Sequence, residues 1–118
     1  MKIAPKGDVA ARLRQRKFEL IRTKQLPAYV SDLLPGCLSL THRKCGKANC
    51  RCADGEGHPE WKIAFMSGGK QRVERVPSEW VDEVRRMVEE GRSFKDANAE
   101  ILAVNAELLV LWRKQGTR

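Results

Sequence analysis

The sequence predicts an α+β fold: a small three-stranded antiparallel sheet flanked by one N-terminal helix and two C-terminal helices. Three observations carry this. Period-two alternation is confined to the middle third of the chain. Apolar residues at helical spacing lie on both sides of it. Pro27, "LLPG" at 33–36 and Pro77 stand where the pattern changes. The length, 118 residues, points to a single domain over 1–118, with 8–25 a basic helix, 37–77 the sheet and 78–114 helical.

The first helix is expected over 8–25, with Asp8 as N-cap and Val9, Leu13 and Leu20 on one narrow arc. Arg12, Arg14, Arg16, Lys17, Arg22 and Lys24 surround that arc, Phe18 points away from it, and Pro27 bars continuation. "LSLTHRK" at 38–44 alternates as a half-buried strand, and "WKIAFM" puts Trp61, Ile63 and Phe65 on one face of a second. "SGGK" at 67–70 reads as a hairpin turn, because paired glycines accept the positive φ a tight hairpin needs. "KQRVERV" at 70–76 returns as a charged edge strand.

Beyond Pro77, Ser78 is the expected cap of a helix whose first turn holds Glu79, Asp82 and Glu83, where the macrodipole favours acids. Trp80, Val81, Val84, Met87 and Val88 share about 120° of arc, and Gly91 and Ser93 are expected to stop or kink the helix. A last helix over 94–114 repeats Phe94, Ile101, Val104, Leu108, Leu111 and Trp112 at near-heptad spacing. Leu102 and Leu109 widen that face to nearly half the cylinder, with Asn98 and Asn105 inside it. A face so wide has to be covered from two sides. The chain's own helices are one candidate cover; a homodimer or partner coiled coil with register-fixing asparagines is the other.

The chain carries a formal net charge of +8, unevenly spread: +6 over 1–30, +3 over 31–77 and −1 over 78–118. That clustering points to a polyanion partner for the first two thirds. No run of eighteen apolar residues occurs, so no membrane span is expected. The opening "MKIAPKGDVAARLRQRK" is charged where a signal peptide is apolar, which implies a cytoplasmic setting with reduced thiols.

The stretch "KCGKANCRCADGEGH" holds three of the four cysteines and one of the two histidines. Cys45-x4-Cys50-x-Cys52-x5-His58 supplies four borderline-soft donors, the number a structural Zn²⁺ takes at tetrahedral corners. Lys47 and Arg51 place positive charge beside the sulfurs, favouring the metal-binding thiolates. Cys37 is an inferior fourth ligand, since an extended 38–44 would set it roughly 26 Å from Cys45; His42 would be roughly 10 Å away. The predicted sheet is therefore zinc-stapled through Cys45, Cys50, Cys52 and His58. A closed site leaves no position for water, no nucleophile–base–acid set is evident, and "SGGK" lacks the Ser or Thr a phosphate loop needs after Lys70. Enzymatic activity and a small-molecule substrate are not expected.

"LPGCLS", "CGKANCRC", "GEGH", an aromatic strand, "GGK", "VP" and an amphipathic helix resemble an uncharacterised family of short bacterial proteins. Its members share a Leu-Pro-Gly-Ser, Cys-Gly-Lys-x-x-Cys-Arg-Cys and His-Gly-Pro layout, and many are encoded near transposases or on mobile elements. The resemblance runs from Leu34 to Arg92. Cys37 stands where the family has Ser, and Pro59-Glu60 replaces Gly-Pro after His58. The resemblance implies a mobile-element context.

Taken together, these features lead us to expect a non-enzymatic, zinc-binding, DNA-binding accessory protein that assists a transposase or recombinase. Arg43, Lys44, Lys47, Arg51, Lys70, Arg72 and Arg75 are the expected nucleic-acid contacts, Lys70 and Arg72 on one strand face and Arg75 on the other. Two alternatives are a zinc-stabilised adaptor acting through the C-terminal helix, and an RNA-binding protein. The few aromatics argue against an RNA-stacking surface.

Overall fold

The computed structural model describes residues 5–44, 46, 49, 55 and 57–116. The order of elements is α1 (Asp8–Thr23), a 3-10 turn (Ala28–Asp32), β1 (Cys37–Arg43), β2 (His58–Ser67), β3 (Lys70–Val76), a second 3-10 turn (Ser78–Trp80) and α2 (Val81–Gly116). The fold is α+β, with a sheet ordered β1-β2-β3 and antiparallel throughout.

Register decides which residues share a face. Leu38 pairs with Ile63 and Leu40 with Trp61, while Trp61 pairs with Val76 and Phe65 with Arg72. Those positions form the face that α2 covers. Ile63 and Val76 are buried there with Val81, Val84 and Val88, and Leu34, Leu38, Trp61 and Phe65 pack around them. The opposite face presents Ser39, Thr41 and Arg43 on β1, alternate residues from His58 to Met66 on β2, and Gln71, Val73 and Arg75 on β3. The β2–β3 hairpin turns on Gly68 and Gly69 at φ +60° and +80°, the left-handed values that paired glycines permit.

The segment before the sheet lies along α2 as a strap. Leu34 N–H donates to the Met87 carbonyl at 3.1 Å, and Tyr29 meets Phe94 edge to face with ring centroids 5.8 Å apart. Met87 is 1% exposed. Between those two contacts the Leu34 carbonyl passes so close to Gly91 that a Cβ there would overlap its oxygen.

This close approach explains the main correction to the sequence reading. Two C-terminal helices, parted at Gly91 and Ser93, were expected; α2 is one continuous helix of 36 residues. Gly91 is buried inside the helix, where its missing side chain admits the strap, and it does not act as a terminator. The caps also differ. Gly7 occupies the N-cap of α1 at φ +103°, leaving Asp8 in the first turn where its charge still suits the dipole. Ser78 lies inside a 3-10 turn whose N-cap is Pro77, its Oγ donating to the Glu79 carboxylate at 3.5 Å, and Trp80 in that turn is 43% exposed instead of joining Val81, Val84, Met87 and Val88 in the core.

The described chain is extended, with a radius of gyration of 20.9 Å and principal extents of 80 × 36 × 25 Å. A compact chain of this length would have a radius near ~13.5 Å. Two features produce the difference: α1 has no buried residue among those described, and α2 has none after Gly91.

Candidate functional site

The antiparallel pairing closes the base of the cysteine loop. Arg43, the last residue of β1, sits opposite His58, the first residue of β2. Cys45, Cys50 and Cys52, with Lys47 and Arg51, lie outside the described residues, so His58 is the one predicted ligand whose position is fixed. It lies at the end of the sheet where the chain enters and leaves the loop. Cys37 is at the other end, paired with Ala64, and its Sγ accepts from the Arg92 guanidinium at 3.6 Å. Six strand positions, roughly 20 Å, separate Cys37 from Arg43.

The open face of the sheet gathers positive charge around that loop base. Arg43, His58, Pro59, Glu60 and Arg75 line one hollow of about 310 Å³. Arg75 pairs in register with Lys62, whose ammonium lies 3.9 Å from the Glu60 carboxylate. Thr41 Oγ1 donates to the Glu60 carbonyl at 3.1 Å, tying β1 to β2 at the centre of the patch. Lys44 follows directly after β1. Arg43, Lys62 and Arg75 thus share one face with His58, and Glu60 is the single acid among those face positions.

Arg72 and Lys70 do not join this group. Arg72 pairs with Phe65 across the strands, so it points to the face α2 covers; it lies over the Phe65 ring at 5.6 Å and binds Glu74 at 2.7 Å. Lys70 shares its parity at the hairpin end. Sequence reasoning missed Lys62. The pattern of its strand is carried by Trp61, Ile63 and Phe65, and the alternate position acquires meaning only when β3 brings Arg75 beside it. Trp61 and Phe65 are both on the covered face, Trp61 with the Arg85 guanidinium 5.2 Å above its ring.

A second positive surface is α1, where Arg12, Arg14, Arg16 and Arg22 are exposed. Lys17 holds the helix to the strap by donating to the Ser31 carbonyl at 2.9 Å, and its ammonium lies 5.0 Å from the Phe18 ring. Phe18 remains 53% exposed. Among the described residues, no helix is long and apolar enough to cross a membrane.

The proposed partner helix also has a defined setting. Phe94 is half-buried under Tyr29, whereas Ile101, Val104, Leu108, Leu111 and Trp112 are each at least half exposed. The chain's own N-terminal helix, one candidate cover for them, buries none of its residues against α2 or elsewhere among the described residues.

Comparison with curated proteins and with solved structures found no match to this chain. A family model does match, over residues 10–86, a span that takes in α1 from its third residue on, the strap, the sheet with its cysteine loop, and the first six residues of α2. The chain belongs to the family described as a domain of unknown function (DUF6788).

Proposed function

We propose that this is a non-enzymatic, zinc-binding accessory protein that binds DNA through the open face of its sheet. The observation that carries the reading is the convergence of Arg43, Lys62 and Arg75 on that face, next to the base of the cysteine loop. Three cations on adjacent antiparallel strands suit a β-ribbon laid against a duplex, where phosphates supply most of the affinity. Lys44, Lys47 and Arg51 would extend the contact from the loop, and Lys70 and Arg72 would reach the backbone only from the hairpin edge.

Zinc enters as a staple. Cys45, Cys50, Cys52 and His58 would hold it, and the donor set suits a closed structural site. The pairing of His58 with Arg43, two positions before Cys45, supports this by bringing both ends of the loop together. The metal would fix the loop and its cations; no reaction is routed through it. A role beside a transposase or recombinase, in the cytoplasm and nucleoid, rests on the mobile-element setting of the proteins that this chain resembles.

The test is a titration of random-sequence duplex across a salt series. Binding at low salt with a steep log–log slope is expected. Replacing Arg43, Lys62 and Arg75 by Gln together should reduce that slope by up to ~2.7, about 0.9 per lost phosphate contact. No binding at low salt overturns the proposal. A second reading, a protein-interaction adaptor, is favoured by the exposed distal half of α2. RNA stacking is not favoured, because Trp61 and Phe65 face α2.

A further inference from the structure

From Ile101 to Trp112, every large apolar side chain of α2 is between 38% and 73% exposed, and no described residue buries any of them. On a helix at 100° per residue, seven of the eight fall on one half of the cylinder, Val110 being the exception. The middle of that half is a seam of Phe94, Ile101 and Leu108 alternating with Asn98, Asn105 and Trp112, each series repeating every seventh residue. Phe94 is claimed by Tyr29, so the strap covers the start of the seam and leaves the rest open.

We infer that this seam pairs with the same seam of a second copy of the chain, the two α2 helices running parallel and in register. Three features select this occupant. The first is area: Ile101, Leu108 and Trp112 lie on the seam and Leu102, Val104, Leu109 and Leu111 flank it, an apolar patch of a size that a monomer seldom exposes. One partner helix buries the seam and the inner edges of its flanks. The second is charge. Residues 92–116 carry four basic and three acidic side chains, so two copies meet without strong repulsion; α1, with five basic and two acidic, would repel itself. The third is the asparagine pair. Asn98 and Asn105 lie in the middle of an apolar face, where burial without a partner is costly. Parallel in-register helices set each asparagine against its own counterpart, which satisfies both amides and specifies that alignment. The inference does not depend on DNA binding.

The experiment is a mass measurement by sedimentation equilibrium on the full chain at micromolar to 100 micromolar concentration. A mass of twice the 13.4 kDa chain is expected; a single-chain mass throughout overturns the inference. Register is tested with Asn105→Lys and Asn105→Glu. Each variant alone should fall to single-chain mass, because like charges would face each other, and an equimolar mixture should recover the two-chain mass. If neither variant dissociates, or if the mixture stays dissociated, position 105 does not face its counterpart and the parallel in-register pairing is wrong. Unchanged melting of the sheet core, which lies at the other end of α2, shows that both variants remain folded.

Discussion

Gly91 shows how a single residue can mislead a sequence reading and still be informative. Glycine in a helical pattern is a plausible stop, costing about 1 kcal/mol against alanine in a helix interior. Here it is kept because the Leu34 carbonyl occupies the space of a side chain. Gly91→Ala should therefore destabilise the fold by about 1–3 kcal/mol despite its better helix propensity, as overpacked sites do. Urea denaturation measures this, and a stabilised variant would show that the strap is not held there. Met87→Ala, at the one large side chain that is fully buried among the described residues, should cost about 2–5 kcal/mol by the same measurement. The core positions Val81, Val84, Met87 and Val88 were legible from helical spacing alone. The strap contact was not, because it joins residues over fifty positions apart and no periodicity encodes a backbone carbonyl meeting a missing side chain.

At the level of elements, the strands were legible because alternation and turn chemistry agree: Trp61, Ile63 and Phe65 share a face, and "SGGK" turns where paired glycines allow it. β2 starts at His58, three residues earlier than its aromatic pattern suggests, since Pro59 and Glu60 carry no apolar alternation and are held by pairing with β1. The open-face cluster was only half legible. Arg43 and Arg75 are conspicuous by charge, whereas Lys62 becomes a neighbour of Arg75 only through register. The cysteine loop supplies the prediction at this scale. Purified protein should hold one equivalent of zinc by elemental analysis, and a strong chelator should remove it and lower the melting temperature of the sheet, since binding free energy at such sites is also folding free energy. His58→Ala should weaken zinc retention while Cys37→Ser leaves it unchanged, because Cys37 sits at the far end of the sheet. Retention lost equally in both variants would mean that a different ligand set holds the metal.

For the whole molecule, shape follows from what is left uncovered. One core joins the sheet, the strap and the first three turns of α2; beyond Phe94, which Tyr29 meets, the rest of α2 buries no residue among those described. The near-heptad spacing made this face legible in the sequence, but the direction of its cover was not, since a half-cylinder of apolar residues satisfies an intramolecular bundle and a second chain equally well. In the structure α1 buries none of its described residues, which leaves the intramolecular cover unformed and the second chain as the proposed one. The absence of a break at Gly91 also makes α2 a rigid spacer of about 54 Å, at 1.5 Å per residue. Seven helix-forming residues inserted after Lys95 should lengthen the particle by about 10 Å in small-angle scattering and turn its far end by only about 20°. Inserting two residues would turn it by about 200° for a gain of about 3 Å, so torsional phase and reach can be adjusted separately.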